Sequence, residues 1–527
     1  MNPSKADKKV DPVKSPKEAA LAALKRNDPS GAIAICNQAL RRTKNNADIM
    51  QVLAVSLLSK GEIDLAEQTV LKARTLDPLN AEVHLAHGLI LRARGLNEAA
   101  LSAYDSAVAM DPNSALARLN RANVLNDLGC LKEAVEEYAQ ALAIDDGLPG
   151  AHLNHGVALQ KLDRHEEAEV SIRAALGYQP GMLDALFALG NSLGALARPA
   201  EAQECYEAVM AVEPEYEQCR WNSGLTQLIL EQFRSGWASY EVRIGSSSNF
   251  KFQPKDGEVL WQGESLTGRS IVLLAEQGLG DTLQFCRFAD RLVALGATAI
   301  ILEVPESLCS LLQCLQSDHM QVCSKGSERA TADFYLPLMS LPHRLGFDAV
   351  PEAAQSYLVA DPVKIAHWQA TLPARRARKR IGVVWSGSPG HTHDVYRSIP
   401  FEWLAPWFEL EEIEWICLQK QIRAEERDAL ANSTVKEFSA DLHDMSDTAA
   451  LIANLDLVVS VDTSVAHLAA ALGKPTWVLV AYSPDWRWLL NRSDSSWYPS
   501  VRLFRQEKRG DWRGVVGAVR TALPEVL

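Results

Sequence analysis

The feature that most constrains this fold is a 34-residue period in the first half of the sequence. Two columns of the period hold only small residues: Ala32, Ala66, Ala100, Ala134, Ala168 and Ala202, and Ala20, Ala54, Gly88, Ala122, Gly156, Gly190 and Gly224. Two further columns hold Ala39, Ala73, Ala107, Ala141 and Ala175, and Pro78, Pro112, Pro180 and Pro214. Small residues let paired helices approach closely, and proline ends a helix. The period therefore predicts a stack of helix pairs.

These columns resemble the tetratricopeptide repeat (TPR). Seven repeats can be placed over about residues 15–245, starting near residues 13, 47, 81, 115, 149, 183 and 217. The resemblance implies an α-solenoid, a TPR superhelix whose groove binds proteins. Five asparagines share one helix face at the sixth and ninth repeat positions: Asn120, Asn123, Asn154, Asn191 and Asn222. An amide donates and accepts hydrogen bonds at once, so we predict that they line an acceptor peptide groove. The alternative is that Asn is common at these positions in such repeats.

Two pairs of histidines also occupy fixed repeat positions: His84 and His87, and His152 and His155. A pair of histidines three residues apart is one possible metal site. The two pairs come from non-adjacent repeats, however, so we predict that these side chains pack helices.

The second half of the chain has a different composition, because all 13 Trp lie after residue 220. Short apolar runs predict strands at residues 270–275, 298–304, 333–336, 381–385, 414–418, 434–438, 457–461 and 476–480. Two successive strand–helix series predict an α/β region with two Rossmann-like halves. The predicted organisation is a disordered tail (1–14), the repeats (15–245), a linker (246–268), an N-terminal half (269–365), a linker (366–379), a C-terminal half (380–505) and a C-terminal helix (506–527).

Charge and composition exclude several classes of protein. The net charge of −13 is spread over both halves of the chain, which argues against a nucleic-acid footprint. The polar N-terminus predicts no secretory signal, and the longest apolar stretch is interrupted by charged residues, so no membrane span is expected. Nine irregularly spaced cysteines suit reduced thiols. We expect a cytoplasmic protein.

The first motif follows the first predicted strand and runs from Glu276 to Gln284. Gly278 and Gly280 permit a tight turn and a close backbone approach. Asp281 then stands at a helix start beside the expected cleft, where a carboxylate could act as a general base. Capping of the helix by Asp281, with Gln284 three residues on, is the alternative. Leu283 stands where the dinucleotide-binding fingerprint needs its third glycine, which argues against NAD or FAD.

The second motif runs from Val459 to His467, off a strand and into a helix. Asp462 or Thr463 is expected to cap this helix, leaving amide groups that could bind a phosphate or diphosphate. His467 lies one turn inside the helix, and its imidazole could reach the same anion. A buried histidine satisfied under the sheet is the alternative.

A third strand–turn sequence, Val383 to Ser388, offers a second phosphate nest. Ser386 and Gly387 could bind a phosphate through their backbone amides, with Arg397 as a charge partner, and Trp385 is predicted to belong to the same site. Solvated loop residues are the alternative. Gln419 ends another strand and could contact a base or ribose. His391 and His393 are not expected to bind a metal, and the aromatic and arginine-rich segment 483–506, outside any strand, is predicted mainly to pack.

The motifs at 278–284 and 460–475 resemble glycosyltransferase family 9, the heptosyltransferase-like enzymes of the GT-B fold. The resemblance implies that Asp281 is the catalytic residue and that Thr463, Ser464 and His467 bind the donor diphosphate. Together with the repeats, the chain resembles bacterial TPR–glycosyltransferase fusions, some of which modify flagellins. No two Asp are separated by one residue, so the metal-binding D-x-D motif of other glycosyltransferases is absent.

These observations predict a metal-independent glycosyltransferase. It would move a sugar from a nucleotide-sugar, used as co-substrate without a further cofactor, to a hydroxyl of a protein such as flagellin held by the repeats. Two alternatives stay open. The acceptor could be a surface glycan or a lipid-linked sugar, or the chain could be a non-catalytic TPR scaffold with a degenerate GT-B domain.

Overall fold

A computed structural model describes residues 15–245, 254–351, 356–375, 378–390 and 394–527. The predicted tail at residues 1–14, part of the first predicted linker, and His391 and His393 lie outside these ranges. The chain divides into two compact units, Met1–Ser192 and Leu193–Leu527, called here the first and second unit. No helix of the described ranges is both long and apolar enough to cross a membrane.

Helix pairs make up the first unit and open the second. The helices are α1 (Pro16–Lys25), α2 (Pro29–Arg42), α3 (Ala47–Ser59), α4 (Ile63–Leu76), α5 (Ala81–Ala93), α6 (Asn97–Met110), α7 (Ala115–Asp127), α8 (Leu131–Ile144), α9 (Pro149–Lys161), α10 (His165–Tyr178), α11 (Leu183–Ala195), α12 (Pro199–Val212), α13 (Glu217–Ile229) and α14 (Phe233–Tyr240). From α3 onward, the first helix of each pair starts 34 residues after the previous one. The sequence period is therefore the period of the helix pairs.

Close packing inside each pair explains the columns of small residues. A Cβ atom on Gly88 would lie 2.4 Å from the ring of Tyr104, and one on Gly156 would lie 2.4 Å from Ile172. Every alanine of the column that begins at Ala32 is fully buried. A larger residue in these columns would force the two helices apart.

The repeat histidines bond groups on neighbouring helices and in the loops between helix pairs. The Nε2 atoms of His84 and His152 bond the carbonyl oxygens of Pro78 and Asp146, at 2.8 and 2.9 Å. His155 Nδ1 lies 3.0 Å from Ser171 Oγ. His87 Nδ1 likewise lies 3.2 Å from an Arg74 nitrogen. The four histidines therefore bond nearby helices and loops.

The second unit continues with two parallel five-stranded sheets. The strands are β1 (Val259–Leu260), β2 (Ser270–Leu274), β3 (Ala299–Val304), β4 (Met320–Ser324) and β5 (Phe334–Pro337), then β6 (Lys379–Val384), β7 (Ile413–Cys417), β8 (Leu457–Val461), β9 (Thr476–Val480) and β10 (Val501–Arg505). Their orders are β1-β5-β2-β3-β4 and β10-β9-β8-β6-β7. In register, Leu273 pairs with Leu302, and Val383 pairs with Val459.

Short helices connect these strands. They are α15 (Leu279–Phe285), α16 (Arg291–Ala294), α17 (Glu306–Leu312), α18 (Leu341–Arg344), α19 (Pro362–Thr371), α20 (Asp394–Arg397), α21 (Ala405–Phe408), α22 (Arg427–Ala431), α23 (Met445–Ala453), α24 (Ser464–Ala471) and α25 (Trp512–Ala522). The predicted α-solenoid followed by two Rossmann-like halves is confirmed.

Several strand predictions are wrong at the sheet edges. Residues 434–438 form no strand, because only one bridge joins Lys436 to Ile416. The strands β1, β4 and β10 were not predicted, and β10 contains Arg505, which was placed outside any strand. All three are edge strands, so one flank lacks a pairing partner and their sequences carry exposed polar residues such as Gln321 and Arg502. The continuous apolar pattern of a central strand is therefore missing there.

Candidate active site

Two helices that follow strand ends, one from each sheet, pack against each other in the second unit. The helix α15 follows β2, and α24 follows β8. A Cβ atom on Gly280 of α15 would lie 2.8 Å from Cδ2 of His467 on α24. Glycine at this position therefore allows the two Rossmann-like halves to meet. The predicted close backbone approach is to a histidine of the other half.

Asp281 lies in the first turn of α15. Gly278 is the N-cap residue of this helix, and its backbone N–H donates to Asp281 Oδ2 at 2.7 Å. The carboxylate therefore caps the helix from its third position. The predicted capping pair of Asp281 with Gln284 is wrong, because the Gln284 side chain accepts a hydrogen bond from Arg487 instead.

Arg487 joins Asp281 to the second half. It lies in a 3₁₀ turn, Trp486–Trp488, beyond the end of β9. Its guanidinium donates to Asp281 Oδ1, to Gln284 Oε1 at 2.5 Å and to Asp485 Oδ1 at 2.9 Å. The group also lies over the Trp486 ring, 4.2 Å from its centroid, and only 8% of the side chain is exposed. The sequence reasoning assigned this segment to packing and missed the arginine.

The charges around Arg487 are unbalanced, since one guanidinium faces several carboxylates. Burial raises the pKa of Asp281, against the opposite effect of Arg487. Burial, with the Asp485 carboxylate, raises the pKa of Asp462 to about 6. Both carboxyl groups are therefore stronger bases than an exposed aspartate.

His467 is buried at the interface between the halves. Its Nδ1 atom lies 2.9 Å from the hydroxyl of Tyr498, and its ring stacks on Trp488 at 5.3 Å. Its Nε2 atom lies 3.9 Å from an Asp462 oxygen. Burial, together with the nearby cation of Arg487, holds the pKa of His467 well below its usual value. The imidazole is therefore neutral near pH 7.

The N-terminus of α24 has the features of an anion site. Thr463 is the N-cap residue, but its hydroxyl lies 3.0 Å from Ser460 Oγ, and it makes no side-chain bond to the helix amides. Thr463 and Ser464 are partly exposed. Nearby, Arg397 donates to the backbone oxygen of Asp462 at 3.2 Å. The structure thus brings Asp462, Thr463, Ser464 and Arg397 together.

The turn after β6 is closed by side chains. The amides of Trp385 and Ser386 donate to Gln419 Oε1 at 2.8 and 2.9 Å, and the amide of Gly387 donates to Ser398 Oγ at 3.1 Å. The amides of Ser386 and Gly387, which the sequence suggested as a phosphate nest, are thus engaged by the protein. Gln419 ties the end of β7 to the end of β6.

The repeat asparagines are half-buried and bond nearby groups. Asn123 accepts from the Tyr138 hydroxyl at 2.7 Å and from Asn154 at 2.9 Å. Asn120 donates to the backbone of its own helix, and Asn222 accepts from Gln218 at 3.4 Å. Asn191 lies on α11 in the first unit, whereas Asn222 belongs to the second. Among the residues that the structure describes, no three His, Cys, Asp or Glu side chains are grouped as metal ligands would be.

Comparisons with known families agree with this architecture. The model of glycosyltransferase family 9 (heptosyltransferase) matches residues 416–495, a range that includes α24 and Arg487. Tetratricopeptide repeat models match residues 23–90, 85–149, 149–181 and 183–216.

Similarity to individual proteins is more distant. Protein FlbA of Caulobacter vibrioides is 27% identical over 323 residues, which cover 56% of this chain and 53% of FlbA. The chain thus spans about half the length of this curated relative. Among solved structures, YrrB, a TPR protein with an unusual peptide-binding site, is 20% identical with a TM-score of 0.31 over 35% of this chain and 95% of its own. TTC0263 of Thermus thermophilus is 21% identical with a TM-score of 0.31, over 34% and 97%.

Proposed function

We propose that this chain, which combines tetratricopeptide repeats with a glycosyltransferase family 9 domain, transfers a sugar from a nucleotide-sugar to a hydroxyl group of a protein. The observation that carries the proposal is the packing of α15, which carries Asp281 in one half, against α24 of the other half through Gly280 and His467. In this proposal, Asp281 is the base on one side of the interface and the start of α24 is the anion site on the other side. Such an interface suits a reaction between two separately bound substrates.

The donor diphosphate is proposed to bind at the start of α24. The uncapped amides at Ser464 and the positive end of the helix dipole favour a negative charge. Arg397, which contacts the Asp462 backbone, supplies a guanidinium beside the same turn. These groups also stabilise the charge that builds up on the diphosphate as it leaves.

Asp281 is proposed to be the general base. It takes the proton of the acceptor hydroxyl as the acceptor oxygen bonds to the anomeric carbon of the sugar. The bond from that carbon to the diphosphate breaks at the same time, and the nucleoside diphosphate leaves. The contacts to Arg487 and Gly278 orient the carboxylate, and each of its oxygens keeps a further lone pair. The raised pKa of Asp281 strengthens it as a base.

No metal is part of this proposal, because the sequence lacks the D-x-D motif and the α24 N-terminus with Arg397 offers the positive charge. The acceptor is proposed to be a protein, since the repeats occupy much of the chain and such arrays bind proteins. A flagellin is the acceptor that the family resemblance suggests.

A matched pair of variants tests the donor site. Ser464 is the first residue of α24, where proline fits the helix but removes the backbone N–H. Calorimetry with UDP-, ADP- and CMP-sugars should show one class that binds the full chain. Ser464→Pro should weaken that binding at least tenfold, whereas Ser464→Ala, which keeps the amide, should change it little.

The acceptor class needs a separate experiment. The sugar of the bound donor is radiolabelled and added with an extract of the host organism lacking this gene. Label that is released by protease as glycopeptide supports a protein acceptor, and label in protease-resistant glycan or lipid identifies the other acceptor class. A chain that binds no nucleotide-sugar is the non-catalytic scaffold, and the proposal then fails.

A further inference from the structure

We infer that the seventh helix pair, α13 and α14, together with the turn that follows it, positions Asp281. Tyr240 and Arg243 are the positioning residues. The inference rests on the proposed function, because it assigns these residues to the loop that presents the proposed base. That loop, residues 275–278, joins β2 to α15 and is called here the base loop.

The base loop has a conformation that needs support. Gln277 has a φ of 56°, in the left-handed region that side chains other than glycine rarely adopt. A residue held in that region is strained and persists where surrounding contacts impose it. The contacts that impose it come from the end of the seventh helix pair.

Arg243 holds the first charged residue of the base loop. It follows α14 in a 3₁₀ turn, Glu241–Arg243, and its side chain is fully buried. Its Nε and Nη2 atoms donate to both oxygens of Glu276, at 2.9 and 2.8 Å. Further bonds join its guanidinium to the Tyr240 carbonyl, the Glu241 carboxylate and the Ser340 hydroxyl. This bidentate pair is rigid and leaves Glu276 a single orientation.

Tyr240 holds the next residue of the base loop. Its hydroxyl lies 3.0 Å from Oε1 and 2.6 Å from Nε2 of Gln277. On the same helix, Trp237 packs edge-on against Trp486 at 5.1 Å, beside Arg487. The seventh helix pair therefore supports both partners of the Asp281–Arg487 ion pair.

Repeat positions show that these contacts are peculiar to the seventh pair. Arg243 falls in the column of Ala39, Ala73, Ala107, Ala141 and Ala175, where Val209 stands in the sixth repeat. A buried guanidinium in place of a methyl group is costly unless it is fully paired, so its retention here requires the Glu276 contact. Tyr240 falls in a column with Tyr104, Tyr138 and Tyr206. The Tyr138 hydroxyl bonds Asn123 of its own pair, whereas the Tyr240 hydroxyl bonds the base loop.

Two parts of the second unit therefore have separate roles, one in positioning the base and the other in binding the donor. The seventh pair is a TPR-like element by sequence, but its buried polar groups fix the loop before Asp281. Loss of these groups should misplace the base without disturbing the α24 N-terminus, which lies on the other half. Catalysis and donor binding should therefore respond differently.

The test uses the full chain with Tyr240→Phe, and Tyr104→Phe as the same change at the same repeat position. Hydrogen exchange is followed by mass spectrometry for peptides covering residues 275–285 and 457–471. Tyr240→Phe should speed exchange in the first peptide about fivefold, as expected for one lost hydrogen bond, and leave the second unchanged. Tyr104→Phe should change neither. Equal exchange of residues 275–285 in the two variants would overturn the inference.

Kinetics give the second readout. Tyr240→Phe should lower kcat about tenfold with the donor KM unchanged, and Arg243→Lys, which forms only part of the fork with Glu276, should act in the same direction. A rise in donor KM at constant kcat would contradict positioning of the base. If the wild-type chain transfers no sugar, the proposed function fails, and the exchange experiment alone still decides whether the seventh pair holds the base loop.

Discussion

Replacing Asp462 with asparagine should stabilise the second unit at neutral pH and not at acidic pH. Asp462 precedes α24, and its side chain is 23% exposed. Burial and the Asp485 carboxylate raise its pKa from 3.8 to about 6. A folded-state pKa above the unfolded one means that stability is full below about pH 4 and is lost as the pH rises through 6. Asparagine has no such titration.

The magnitude follows from the size of this shift. Two pKa units correspond to about 3 kcal/mol above pH 6. Because part of the side chain meets solvent, we expect about 2 kcal/mol, which corresponds to a Tm increase of roughly 3 °C for a unit of more than 300 residues. The wild-type chain keeps this destabilising carboxylate because, on this account, Asp462 belongs to a functional site.

Tryptophan fluorescence provides a selective assay. All 13 Trp lie after residue 220, so their emission reports unfolding of the second unit and not of the first. Urea unfolding of wild type and Asp462→Asn should be compared at pH 4 and pH 7.5. The account requires the stability difference to grow by about 2 kcal/mol between these pH values. A difference that is constant with pH would refute the reasoning, even if the variant were more stable at both.

Two further predictions concern packing in the second unit. Gly280→Ala should destabilise the unit and slow transfer, because the added methyl group would lie 2.8 Å from His467. The control variant Gly517→Ala, whose methyl group meets no atom within 4 Å, should be neutral or slightly stabilising. Thermal unfolding followed by fluorescence measures both, and equal stability of the two variants would contradict the observed packing. A chain truncated to residues 193–527 should unfold cooperatively and bind the donor. A chain truncated to residues 246–527 should aggregate, because it lacks Trp237 and exposes the Trp486 ring that packs against it. Donor binding and light scattering measure both, and a monomeric 246–527 chain that binds the donor would argue against a role for the seventh pair.

Much of the fold could be predicted from the sequence, because both regions carry strong periodic signals. Columns of Ala and Gly are imposed by helix packing and repeat every 34 residues, so they identify the pairs directly. Central strands such as β8 are continuous apolar runs and were placed correctly. The edge strands β1, β4 and β10 lack that pattern. Lys436 makes only a single bridge to Ile416, and no local rule separates such a bridge from a strand.

The site was harder to predict, because its chemistry depends on contacts between distant segments. Asp281 and His467 were found from motifs at strand ends. They are 186 residues apart in the sequence, so no local pattern could predict that Gly280 packs on the histidine. Arg487 was missed for the same reason, although its place beyond the end of β9 was a usable signal. Arg243 was easier to predict from the sequence, since it is the charged residue in a repeat column that otherwise holds Ala and Val.

The transfer rate of Asp281→Asn at saturating donor tests the central claim most directly. The variant keeps the size of the side chain and removes the base, so donor affinity should be unchanged while transfer falls by about 10²–10⁴-fold. Asp290→Asn, at an exposed position of the same half, serves as the control and should keep the wild-type rate. A rate for Asp281→Asn within about threefold of wild type would show that the proton goes elsewhere, and the proposed mechanism would be wrong.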